Sequence, residues 1–203
     1  MKRLYSCNTS FLDLLFNMLL AFTAMFVLAF AMINVDKENK KSSVQIKAEY
    51  MITLSWNDEM DDDIDLYVED PRGALVCFRR REDGLMHLDR DDLGHRNDFV
   101  ETPNGQIRYP YNREIVTLRG FEEGEYCINA HAYRKNDPKP CKVSVMVEKL
   151  NPQVKTLIVN ELILEKSGDE KTLLRFKLNK SGDMVSHNTL PKSLTQALKQ
   201  KGS

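Results

Sequence analysis

From Phe11 to Ile33 the chain runs for about 23 residues with one ionisable side chain, Asp13. At the helical rise of about 1.5 Å per residue, that length crosses a bilayer. Such a segment has to lie in a membrane unless it is cut away, and it holds the rest of the chain to one side. No second apolar run of comparable length follows it.

An ionised Asp at a helix centre costs about 2.5–3.5 kcal/mol on insertion scales. Asp13 must therefore face protein or water, or spend part of its time protonated, which makes it a candidate ion-carrying group. The plainer readings are that it reaches the headgroups or hydrogen-bonds a neighbouring helix. At about 100° per residue, Asn17, Leu20, Ala24, Val27 and Ala31 lie near its meridian. Asn17, Leu20 and Ala24 are thus the residues expected to face a pore beside Asp13. Phe11, Leu15, Phe22, Met25, Phe26 and Phe30 on the other faces suit lipid or large partner side chains. One helix cannot enclose Asp13, so the remaining walls of any ion path come from other chains.

A cleaved signal peptide is the competing reading, with Met1-Lys2-Arg3 as the basic start and Ala29-Phe30-Ala31 as a small-x-small cleavage site. The apolar run exceeds the roughly 7–15 residues of a typical signal core, and Asp13 and Asn17 weaken its first half. An uncleaved anchor fits better. Lys2 and Arg3 on one side compete with Lys37, Lys40 and Lys41 on the other, so the positive-inside rule does not decide the orientation. A short N-terminal tail ordinarily stays in the cytoplasm, leaving the large domain outside.

The stretch Ser10-Phe11-Leu12-Asp13-Leu14-Leu15-Phe16-Asn17-Met18-Leu19-Leu20-Ala21-Phe22 resembles the transmembrane helix of the MotB, ExbD and TolR superfamily, to which ZorB belongs. These are the small subunits of ion-driven rotary motors, and the likeness covers about the first 35 residues. By this resemblance Asp13 carries the proton, and two copies of the chain sit within a ring of five MotA, ExbB or TolQ type subunits. It also implies an inner-membrane protein with a cytoplasmic N-terminus and a periplasmic domain. No stretch resembles the OmpA-like peptidoglycan-binding module of MotB, so the periplasmic or cell-wall target stays open.

Beyond the membrane, residues 34–43 are charged and Lys-rich, and read as a tether. From Val44, the alternation Val44, Ile46, Ala48, Tyr50, Ile52, Leu54, Trp56 predicts a strand with one buried face. Further strands are predicted at Asp65–Val68, Ala74–Phe78, Glu114–Leu118, Glu125–Tyr133, Lys142–Lys149, Lys155–Glu165 and Lys171–Leu178. Turn signals at Pro71-Arg72-Gly73, Pro103-Asn104-Gly105 and Ser167-Gly168-Asp169 separate them. The expected architecture is a single N-terminal transmembrane helix followed by an all-β antiparallel sandwich over 44–182. Residues 1–10 form a cytoplasmic tail, 11–33 the membrane helix, and 183–203 a C-terminal tail in which Pro191–Lys201 either forms a short helix or stays irregular.

The segment from Trp56 to Gly73, with Asp63-Ile64-Asp65-Leu66-Tyr67-Val68 at its centre, resembles a group of bacterial extracytoplasmic β-sandwich domains. The likeness includes a later acidic loop, Leu88-Asp89-Arg90-Asp91-Asp92-Leu93-Gly94, and supports the fold more than a function. Asp63 and Asp65 share one strand face, and Asp89, Asp91, Asp92 and Asn97 add hard oxygen ligands, so together they are a candidate calcium (Ca2+) site. The spacing lacks the glycine and terminal Glu of an EF-hand, and acidic runs also serve as solvated turns. His87, His95, His131 and His187 are scattered. His87 and His95 flank the acidic loop, but isolated surface histidines are the plainer account.

Of four cysteines, Cys7 precedes the membrane, while Cys77, Cys127 and Cys141 fall in the outer domain. Cys127 and Cys141 lie on consecutive predicted strands and can bridge a hairpin as a disulfide, or all three can be buried thiols. The formal net charge of -1 argues against a nucleic-acid surface. No nucleophile elbow, zinc spacing or phosphate loop is present, so nothing supports an enzyme. Two functional classes remain: an ion-driven motor subunit, and a membrane-anchored periplasmic binding module without ion transport.

Overall fold

The computed structural model describes residues 6–41 and 47–201. The chain divides into a helical unit ending at Ile46 and a β unit beginning at Lys47.

The helical unit is α1, Ser6–Lys41. No glycine or proline interrupts these residues, and Leu, Met, Ala and Phe fill the apolar part, so nothing in it opposes helix formation. The membrane-compatible stretch is Thr9–Phe30, 22 residues long. Thr23 returns its hydroxyl to the carbonyl of Leu20 at 2.9 Å, so that this polar group is satisfied without a partner helix. The tether expected at 34–43 is helical as far as Lys41, because Lys37, Glu38, Lys40 and Lys41 are good helix formers with no breaker among them. Its last residues, with Val44 and Ile46 of the predicted first strand, lie outside the described residues.

Among the described residues the β unit carries thirteen strands, one α-helix and a 3-10 turn at Gly94–Asn97. In chain order they are β1 Tyr50–Trp56, β2 Asp63–Glu69, β3 Leu75–Val76, β4 Glu82–Asp83, β5 Met86–Arg90, β6 Phe99–Thr102, β7 Gly105–Arg108, β8 Arg113–Leu118, β9 Gly124–Arg134, β10 Cys141–Lys149, β11 Lys155–Leu164, β12 Glu170–Leu178, β13 Met184–Asn188 and α2 Leu194–Lys201. One sheet has the order β11-β10-β1-β8-β5-β4, the other β13-β12-β9-β2-β3, and β6-β7 is a separate hairpin. All strand pairs are antiparallel. The expected class, a membrane-type helix followed by an antiparallel β-sandwich, is the observed one.

Period-2 burial builds the main core. In β1, Tyr50, Ile52, Leu54 and Trp56 point inward and the residues between them are half-exposed. They meet Ile64, Leu66 and Val68 of β2 and Tyr126 and Ile128 of β9 from the facing sheet. Each such buried side chain contributes about 1.5–3 kcal/mol relative to leaving it in water. Tyr126 stacks on Phe176 with ring centroids 5.1 Å apart.

A second, smaller core forms on the outer face of the β2-containing sheet. Tyr67, Leu75, Cys77 and Cys127 gather there under Leu194 of α2, with Phe78 and Leu198 at the margin. The start of α2 is fixed by Glu170, which accepts the backbone N–H groups of Leu194 at 2.6 Å and Thr195 at 3.1 Å. Burial pushes the Glu170 carboxyl up, but hydrogen bonds from Thr195, Ser193 and Asn129 outweigh it and hold it below its ordinary value. An anion at a helix N-terminus also suits the helix dipole.

Residues 183–201 are therefore part of the folded unit, and the helix expected as one alternative at Pro191–Lys201 forms over Leu194–Lys201. β13 pairs with β12, and Leu194 is fully buried. The alternation in Met184–Asn188 is too polar to announce a strand, because β13 is an edge and its side chains stay exposed.

Candidate functional sites

Every described side chain from Thr9 to Phe30 is exposed, Asp13, Asn17, Leu20 and Ala24 among them. The helix thus presents a carboxylate in a band of apolar side chains and supplies no shielding for it. Phe11, Leu12, Leu14, Leu15 and Phe16 surround it along the chain, each about half exposed or more.

In the β unit, carboxyl groups meet at one end of the sandwich. β8 alternates inward through Glu114, Val116 and Leu118, which puts Glu114 between the sheets with no exposed surface. β3 pairs only with Val68 and Glu69 of β2, so the N–H of Leu66 has no strand partner there. Glu114 Oε2 accepts it at 2.6 Å. The other oxygen, Oε1, is buried without a donor, and so is Oδ1 of Asp91, whose carboxyl lies within hydrogen-bonding reach of Glu114. Burial, together with the charges of Asp65 and Asp91, pushes the Glu114 carboxyl well up. A protonated Glu114 would donate to Asp91 and satisfy both orphan oxygens with one proton.

Asp63 and Asp65 do share the outer face of β2, as the sequence suggests. Asp65 Oδ2 is 3.1 Å from Nδ1 of His131, and Asp63 Oδ2 is 3.8 Å from Nη2 of Arg134. Burial and the neighbouring Asp65 push Asp63 up to about 6. Burial also raises Asp65, against the opposing effect of His131. His131 is half-buried and lies edge-on to Tyr67, so it is a structural partner of Asp65 and not an isolated surface histidine.

The expected calcium site of Asp63, Asp65, Asp89, Asp91 and Asp92 does not assemble. Among the described residues no group of three or more His, Cys, Asp or Glu side chains is placed to hold a metal ion. Four of the five carboxylates are held by partners of their own. Asp89 faces His87 at 2.9 Å. Asp92 is buried, accepting from Arg90 Nη2 at 2.8 Å and from the N–H of Gly94 at 3.1 Å. Asn97 accepts from the N–H of Leu93 and donates to the carbonyl of Asp91, bracing the loop on itself. Part of the supposed loop is strand, since Met86–Arg90 forms β5. Gly94, at φ +68, lets the loop approach Asp61 so closely that a Cβ would come within 2.9 Å of its Oδ1.

The Cys127–Cys141 disulfide is also not formed: Cys77, Cys127 and Cys141 are buried free thiols. β9 and β10 are consecutive but belong to opposite sheets, so the chain crosses the sandwich between them instead of turning as a hairpin. Cys127 joins the outer small core and Cys141 the main core. Burial pushes both thiols up to about 11.

Glu114 stands apart from the acidic run and is not marked by any cluster of like residues. The signal was there: Glu114, Val116 and Leu118 share one parity, and an acid on the apolar face of a strand is a buried acid.

No protein-family model matches the chain, and no curated protein matches it.

Proposed function

We propose that this chain is the small subunit of an ion-driven inner-membrane rotary motor, with Asp13 as the proton carrier. The observation that supports it is an exposed carboxylate on a 22-residue apolar helix. Such a group is stable in a membrane only where other protein or water receives it. A ring of five MotA, ExbB or TolQ type subunits around two copies of α1 supplies that environment. In this reading the ionised Asp13 is drawn to polar groups of the ring, and protonation releases it so that the ring advances. The driving force is about 2.3 kcal/mol per charge per 100 mV. The N-terminus is cytoplasmic, and the β-sandwich stands in the periplasm to pass on force or grip an envelope target.

The test is copurification of the tagged full chain from its native membrane, followed by proton uptake in proteoliposomes. The expected result is a multi-helix partner in about a five-to-two ratio, with proton flux that Asp13→Asn abolishes while assembly is kept. A chain that purifies without a multi-helix partner, or full flux through the Asn variant, overturns the proposal and leaves a membrane-anchored binding module.

A further inference from the structure

Beside the small core, part of the outer face of β2 and β9 stays open. Register places Asp65 opposite His131, and alternation puts Tyr67 and Tyr133 on that same face. β3 is two residues long and pairs only with Val68 and Glu69, so it does not extend over these side chains. α2 covers one side through Leu194 and Leu198. On another side the chain makes a tight turn, closed by the N–H of Cys77 on the Arg80 carbonyl at 3.0 Å and the N–H of Arg80 on the Cys77 carbonyl at 2.9 Å. Phe78 and Arg79 form its tip, with the Arg79 guanidinium 5.2 Å from the centre of the Phe78 ring. Turn, sheet and α2 together enclose a cavity of about 670 Å³. Small-molecule sites commonly measure about 300–1,000 Å³.

The charge of this cavity has one sign. Arg79 and Arg80 line it, and among the described residues no Asp or Glu does. Arg80 keeps one nitrogen on Asp83 at 3.1 Å, whereas Arg79 has the Phe78 ring as its contact and no ion pair among the described residues. Tyr67, also in the lining, is only 3% exposed, and its hydroxyl has no hydrogen-bond partner among the described residues. Burial, with Asp65 beside it, raises that hydroxyl above its ordinary value, so it stays a donor. His131 has Nδ1 3.1 Å from Asp65 Oδ2, which leaves Nε2 as its ring nitrogen for the cavity. To these donors a carboxylate offers two oxygens and one charge, while a phosphate ester offers three oxygens and about two charges. A guanidinium already stacked on a ring keeps its planar fork for such a phosphate.

The cavity also has an aromatic wall. Tyr133 is 51% exposed, and its neighbours Phe78 and His131 are inclined to it at 61° and 65°, so neither stacks on its face. A flat ring can lie against it.

We propose that this cavity binds a small phosphate ester of a planar ring, with the phosphate on Arg79, Arg80 and the Tyr67 hydroxyl and the ring against Tyr133. The site is built wholly within the β unit and does not require the motor reading.

The experiment is calorimetric titration of the full chain in phosphatidylcholine nanodiscs. The probes are phenyl phosphate, which carries both features, and inorganic phosphate and phenol, which carry one each. Phenyl phosphate is expected to saturate a single site per chain, with each half-probe at least about tenfold weaker. Arg79→Gln and Tyr133→Ala should each weaken phenyl phosphate by about tenfold with circular dichroism unchanged. Tyr67→Phe, which removes only the hydroxyl, should weaken it by about fivefold. Lys180→Gln, an exposed cation in the turn at the other end of β12, should leave it unchanged. No saturable heat up to about 10 mM phenyl phosphate overturns the proposal. So does inorganic phosphate that binds as tightly as phenyl phosphate, an affinity indifferent to Arg79→Gln or Tyr133→Ala, or an equal loss on Lys180→Gln. These results say nothing of proton flux through Asp13, so either reading can fail while the other stands.

Discussion

Replacing Glu114 by Gln should make the folded β unit more stable at neutral pH, although it removes a buried acid. The wild-type carboxyl has one oxygen on the N–H of Leu66 and another with no donor, facing the equally unpartnered Oδ1 of Asp91. A glutamine keeps the acceptor for Leu66 and supplies an N–H to Asp91. Leaving a buried polar atom unsatisfied costs about 1–3 kcal/mol, so the variant gains about that much wherever Glu114 would otherwise have to ionise. For a unit of this size, about 2–4 °C accompany each kcal/mol, giving a rise in Tm of about 2–12 °C. The pH dependence carries the sign. The folded carboxyl is raised, so its contribution is fully present below the ordinary carboxylate range and is lost as pH rises through the folded value. Asp63, pushed up to about 6, acts in the same direction between its ordinary value and that point. Melting curves of the full chain from pH 4 to pH 8 should show a falling wild-type Tm in this window, a shallower fall for Glu114→Gln, and convergence of the two at the acid end. A variant that melts lower than wild type at pH 8, or follows the wild-type slope, would refute the assignment of a shared proton to Glu114 and Asp91.

Two further outcomes are expected of the same fold. Asp62 accepts from the Lys135 ammonium at 2.6 Å and from the N–H groups of Asn136 and Asp137, with the Lys135 side chain only 4% exposed. Asp62→Ala strands that ammonium and should cost about 3–5 kcal/mol in denaturant unfolding, much of it regained when Lys135→Met is added. The thiols of Cys77, Cys127 and Cys141 should ignore a thiol reagent at pH 8 until the chain is unfolded, and reduction should leave the monomer mass unchanged. Rapid labelling of the folded chain at any of the three would contradict their burial.

Where alternation met one buried face, the strands were legible in the sequence. Tyr50–Trp56 repeats inward and outward without a break, and Glu114–Leu118, Glu125–Tyr133, Lys142–Lys149 and Lys155–Glu165 fall within a residue of the observed bounds. β5 was hidden because Asp89 and Arg90 make its end look like loop, and a bulge between Leu88 and Arg90 breaks the parity. The disulfide expectation failed on topology, since spacing along the chain cannot show that β9 and β10 occupy opposite sheets. The calcium expectation failed because Asp63 and Asp65 are held by Arg134 and His131 of β9, far off in sequence, whereas Asp89 and Asp92 are held by His87 and Arg90, two residues away. Asp13 was legible at once, because an acid in an apolar run stands out without any knowledge of tertiary contacts.

The continuity of α1 past its apolar stretch has a mechanical meaning. Residues 31–41 continue the helix for eleven residues past Phe30, and at about 1.5 Å each they form a post of about 16 Å with a closed backbone ladder. A turn applied at the apolar end is carried by that ladder to Lys41 with no hinge to absorb it. A pair of glycines set into the post would act as a swivel, uncoupling any twist below from whatever is fastened above.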